Sequence, residues 1–123
     1  MKALILEDDQ VKIKQFKQRM LEKGWAGTFV ETANDAIKQL SDHTFDIIFL
    51  DHDLGDEVYV SSDHKNTGAE VARWLSTNPI SAQIIIHSLN PFGSKYMKDM
   101  IEGSYVIPFI WKENKFHEVI VDD

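Results

Sequence analysis

The chain predicts an α/β fold: a single doubly wound, five-stranded parallel sheet of strand order 2-1-3-4-5, forming one domain over residues 1–123. Three observations carry that expectation. Short apolar runs, such as Ala3–Leu6, Ile47–Leu50 and Gln83–Ile86, read as strands buried on both faces. Stretches with helical spacing alternate with them about five times. The runs end abruptly in polar clusters, Glu7-Asp8-Asp9, Asp51-His52-Asp53 and His87-Ser88. In open parallel sheets, ligands bind at the carboxyl ends of strands.

In chain order, Ala3–Leu6 is the first strand, and Gln10–Lys23 is a helix with Ile13, Phe16 and Met20 inward. Asp8 or Asp9 caps its start, Asp9 being a cap rather than a metal ligand, and Gly24 stops it. Lys12, Lys14, Lys17 and Arg19 form a solvated face. Thr28–Thr32 is a second strand, and Asn34 caps a small helix carrying Ala36, Ile37 and Leu40. Asp46–Leu50 is the third strand. A polar loop over 55–67 follows, in which Val58-Tyr59-Val60 has the makings of a small hairpin. A helix spans Thr67–Ser76 until Asn78-Pro79 breaks the chain. Gln83–Ile86 is the fourth strand. Pro91-Phe92-Gly93 is read as a turn, with Ser94 capping a helix to Glu102. Tyr105–Trp111 is the last strand, confined to an edge or cut short by Pro108. The tail, Lys112–Asp123, has room for one short helix or strand.

Composition narrows the function classes. Cysteine is absent, which excludes disulfides, thiolate chemistry and sulfur-bound zinc. The start turns acidic too soon for a signal peptide, and no apolar run approaches the roughly 20 residues of a membrane span. A cytoplasmic protein is the expectation. A formal charge of −7 argues against broad nucleic-acid binding but not against a phosphorylated substrate held through a cation.

In the predicted strand order the first, third and fourth strands adjoin, so Glu7, Asp8, Asp51, Asp53, His52, His87 and Ser88 are expected at one crevice. Glu7, Asp8, Asp51 and Asp53 form an all-oxygen ligand set for a hard cation such as Mg2+. His52 and His87 are candidates to exchange protons across the crevice, since imidazole titrates near neutrality. Ser88 either donates to a phosphoryl oxygen or caps a turn; Asn90 and Thr67-Gly68 are read first as turn and cap residues. His43, Asp63, His64 and His117 are read as solvated, and Trp25, Trp74 and Trp111 as core or interface.

Over nearly its whole length the chain resembles a response-regulator receiver domain, a flavodoxin-like fold. That resemblance implies an acidic pair at Glu7-Asp8, a phosphoacceptor at Asp51 and a magnesium ion also held by the backbone carbonyl of Asp53. It departs from the pattern where a lysine precedes a proline: Ile107 stands before Pro108, and Lys112 lies beyond. Three blocks, Leu-Asp-His-Asp-Leu-Gly (50–55), Thr-Gly-Ala-Glu-Val-Ala-Arg-Trp-Leu (67–75) and His-Ser-Leu-Asn-Pro-Phe-Gly (87–93), are similar to the cyclic-phosphate processing receiver domains. This implies a metal-assisted phosphoesterase acting on cyclic phosphate ends of RNA or nucleotides, with Asp51, His52, His87 and Ser88 catalytic. Two other functions fit the residues. One is a signalling receiver phosphorylated at Asp51. The other is a non-catalytic module that meets a protein partner through an exposed face such as Tyr105–Trp111.

Overall fold

A computed structural model of the chain describes residues 1–55, 60–112 and 116. Asp56, His117, most of the suggested hairpin at Val58-Tyr59-Val60 and most of the tail element within Lys112–Asp123 lie outside the described residues. Strands β1 (Lys2–Leu6), β2 (Ala26–Val30), β3 (Ile47–Leu50), β4 (Gln83–Ile86) and β5 (Tyr105–Val106) form a parallel sheet in the order β2-β1-β3-β4-β5. Helices α1 (Gln10–Lys23), α2 (Ala33–Asp42), α3 (Gly68–Thr77) and α4 (Pro91–Met100) connect them. No described helix is long and apolar enough to cross a membrane.

Period-two alternation along fully buried strands makes two cores. Leu4, Leu6, Ile48, Leu50, Ile84 and Ile86 face α2, α3 and α4, meeting Ala36, Val71 and Met97. Ala3, Ile5, Ile47, Phe49 and Ile85 face α1, meeting Phe16 and Met20, with Phe116 closing that side. Phe16 tilts against Phe49 at 5.2 Å between ring centroids.

Most elements form where the periodicity places them, and the exceptions have local causes. Strand β2 starts two residues earlier than expected, and Thr32, not Asn34, caps α2 by accepting the Asp35 N–H. The stretch read as a turn at Pro91-Phe92-Gly93 is the first turn of α4. Asn90 caps it, accepting from Phe92 and Gly93, and Pro91 occupies a position where its missing N–H costs nothing. Ser94 instead donates its hydroxyl to Ser88 O. Strand β5 holds only two residues, because Pro108 has no N–H for the ladder and Phe109 turns the chain at φ 61°. Asp9 caps α1 through the Val11 N–H, and Gly24 closes that helix at φ 69°.

Candidate functional site

Strand register builds the site. Leu6 pairs with Leu50, and Leu50 with Ile86. One residue further on, the Asp51 N–H donates to Leu6 O and the His87 N–H to Leu50 O, so the pairing continues through Glu7, Asp51 and His87. Alternation turns these three away from Leu6, Leu50 and Ile86 and toward the α1 side. One ligand atom from each lies within 4.8 Å of the other two. All three are buried. The ring of His87 meets the edge of Phe16 on α1, 5.0 Å between centroids.

Burial of like charges sets the electrostatics. Glu7 is pushed up to about 8, by burial first and by the Asp51 charge second. Asp51 is raised to about 6, chiefly by burial, although the His52 N–H and the Lys12 charge favour its ionised form. Burial, assisted by Lys12, lowers His87 to about 3, so its imidazole is neutral near pH 7. His87 Nδ1 lies 3.6 Å from Glu7 Oε1, too far for a hydrogen bond. Glu7 Oε1 and both ring nitrogens of His87 have no hydrogen-bond partner among the described residues. Buried polar atoms without partners are costly. Two carboxylates and a neutral imidazole with free lone pairs at one point fit a divalent cation. The nitrogen makes the set better suited to Mn2+ than to the all-oxygen preference of Mg2+.

The remaining expected residues go elsewhere. Asp8 is half-buried and accepts the Gly55 N–H at 2.5 Å, tying the long loop to the end of β1. His52, next to Asp51 in sequence, points to the α4 side. A Cβ on Gly93 would lie 2.4 Å from His52 Cγ, so α4 approaches this ring only because residue 93 has no side chain. The His52 ring is fully buried, with Nδ1 2.8 Å from Asp53 Oδ1 and Nε2 2.9 Å from Ser62 Oγ. Asp53 Oδ1 also accepts from Val60 N–H and Asn90 Nδ2, both at 3.1 Å. The Asp53 carboxylate thus holds His52, and its charge also raises Asp51. Ser88 Oγ accepts the Asn90 N–H at 3.0 Å, the turn-capping role.

The expectation that His52 and His87 face each other across one crevice is thus corrected: His87 sits with the acidic pair, and His52 belongs to a separate Asp53–Ser62–Asn90 cluster. The nearest β4 neighbour of Asp51 is His87, not Ser88. The row continues to Ile107, whose N–H donates to Ile86 O, so an apolar side chain stands where a receiver lysine is expected. Lys112 lies over the Phe109 ring at 4.5 Å. Among the described residues, the cation felt by Glu7, Asp51 and His87 is Lys12, in the first turn of α1. A hollow of 560 Å³ beside Lys2, Phe45 and Ile80 lies at the amino ends of the strands, away from this chemistry.

The family model for the cyclic-phosphate processing receiver domain matches residues 3–103. The chain belongs to this family. No curated protein matches this receiver by sequence. Among solved structures it is similar to a CheY-like response regulator receiver domain from Methylobacillus flagellatus, with 19% identity and a TM-score of 0.73. That match covers 97% of this chain and 94% of the other. The response regulator TrrA from Thermotoga maritima, solved in complex with Mg(2+)-BeF, is 22% identical, with a TM-score of 0.68 over 97% and 93% of the two chains. The HemR receiver domain from Leptospira biflexa is 16% identical, with a TM-score of 0.73 over 95% and 88%. At these identities the likeness establishes the receiver fold.

Proposed function

We infer that this receiver domain is a metal-assisted phosphoesterase that opens cyclic phosphate ends of nucleotides or RNA. The observation that carries the reading is the buried row Glu7–Asp51–His87 with its unpartnered donor atoms. A divalent ion held there, Mg2+ or the better-matched Mn2+, would supply positive charge to the phosphoryl oxygens. Glu7, Asp51 and His87 would hold it, and the backbone carbonyl of Asp53 is a further candidate ligand.

The residues themselves do the rest. Lys12 adds a fixed positive charge toward the same row, favouring an anionic phosphate. The buried walls exclude bulk water, which strengthens each of these interactions. His87, kept neutral by burial and holding the ion through its lone pair, would not protonate a leaving sugar oxygen. That task falls to a group on the His52 side. Supporting the substrate class are the family match and the formal charge of −7, which argues against broad binding of long nucleic acid.

The signalling reading is weaker because Ile107 offers no cation to an acyl phosphate.

The test is hydrolysis of 2′,3′-cyclic nucleotides by the purified chain, before and after chelation, with Mn2+ or Mg2+ restored. Turnover should require the ion and fall on the order of 100-fold in Asp51→Asn. Turnover indifferent to both chelator and Asp51→Asn contradicts the reading.

A further inference from the structure

We propose that Ser62 is a nucleophile, set by His52 and Asp53, that attacks the phosphorus of the cyclic phosphate; this rests on the phosphoesterase reading above. The three side chains stand in the order that activates a hydroxyl: a carboxylate orients an imidazole, whose other nitrogen meets the serine. A carboxylate accepts and does not donate, so the tautomer that satisfies the 2.8 Å contact with Asp53 Oδ1 carries its hydrogen on Nδ1. Nε2 then carries a lone pair, and the Ser62 O–H donates to it across 2.9 Å.

The surroundings hold this arrangement from every side. Asn90 Nδ2 and the Val60 N–H fix the Asp53 oxygen that the ring uses. Gly93 lets α4 close against the imidazole. Arg73 donates to Ser62 O at 2.6 Å and is itself tied to Glu70. The imidazole is fully buried, whereas Ser62 is half-buried, so the relay opens outward at the hydroxyl. The backbone N–H of His52 donates to Asp51 Oδ1 at 2.9 Å, so the relay and the acidic row start from adjacent residues at the end of β3 while their side chains face opposite sides of the sheet. Ser61, one residue away, is exposed, and its Oγ accepts the Asp63 N–H instead.

In the first step the Ser62 Oγ–phosphorus bond forms and the bond from phosphorus to one ribose oxygen breaks. The serine proton moves to His52 Nε2 and on to the leaving ribose oxygen. The product is a phosphodiester between Ser62 and the sugar. Water then attacks the same phosphorus and loses its proton to Nε2. The phosphorus–Oγ bond breaks, Oγ recovers the proton, and a phosphomonoester departs.

Diisopropyl fluorophosphate tests the nucleophile apart from the substrate, since Oγ bonds phosphorus and fluoride leaves. Peptide mass spectrometry of the treated full chain should find the adduct on Ser62 and not on Ser61. His52→Gln keeps a buried polar side chain but no base, and it should slow labelling on the order of 100-fold. Ser62→Ala should abolish both the adduct and cyclic-nucleotide hydrolysis. No adduct at Ser62, equal labelling of Ser61, or an unchanged rate in folded His52→Gln overturns the proposal, as does hydrolysis that survives Ser62→Ala. A Ser62 adduct in a wild-type protein that leaves cyclic nucleotides intact upholds the activated serine and overturns only the substrate reading beneath it.

Discussion

Glu7 and Asp51 crowd two carboxyls into a site with almost no access to water, and without a cation the folded protein holds protons there that the unfolded chain releases. Both folded-state values lie above the ordinary ones, about 8 against 4.5 and about 6 against 3.8. The folded state therefore binds more protons across that window, and the stability these groups contribute is lost as pH rises through their folded values. Chelator-treated protein should melt at progressively lower temperature from about pH 5 to 9. Glu7→Gln should flatten that slope and raise the melting temperature at the alkaline end by several degrees. An unchanged slope in Glu7→Gln contradicts the account. At this scale the sequence expected Glu7, Asp8, Asp51 and Asp53 as one ligand set, whereas the structure gathers Glu7 and Asp51 with His87, while Asp8 holds Gly55 and Asp53 meets His52. Adjacent strand residues face opposite ways, so Asp51 and His52 cannot share a wall, whereas Asp51 and His87 do. Lys12 looked like part of a solvated face. The available signal was its place in the first turn of a helix that begins at a strand's carboxyl end.

Among the elements, the loop between β3 and α3 and the start of α4 are built for each other. Asp8 holds Gly55, Asn66 accepts the Ala33 N–H at 3.1 Å, and Asn90 both caps α4 and holds Asp53. Asn90→Ala removes a helix cap and an anchor of the His52 cluster, and it should cost about 1–2 kcal/mol. Gly93→Ala drives a methyl into the His52 ring and should cost about 1–3 kcal/mol. Urea midpoints check both, and a neutral Asn90→Ala would show that the cluster carries no stability. Helices α1 and α3 were legible because their apolar spacing is regular. The start of α4 was not, because Pro91 and Gly93 carry the local signature of a turn; here proline takes the first helical position and glycine makes room for an imidazole. Ser62 was beyond reach, since a loop's path across a sheet edge depends on distant partners such as Arg73.

For the whole molecule, the row Glu7–Asp51–His87 exists only when β1, β3 and β4 lie side by side, so a cation bound there would stabilise the fold over the unfolded chain. The strand order that brings them together was readable from the alternation of apolar runs and helices. The identity of the third ligand required the register. The most direct measurement is pulsed electron paramagnetic resonance of Mn2+ added to the chelator-treated protein. The account predicts a bound ion with nitrogen coupling from one imidazole, and loss of that coupling in His87→Gln. Failure to bind Mn2+, or a spectrum unaltered by His87→Gln, would contradict it.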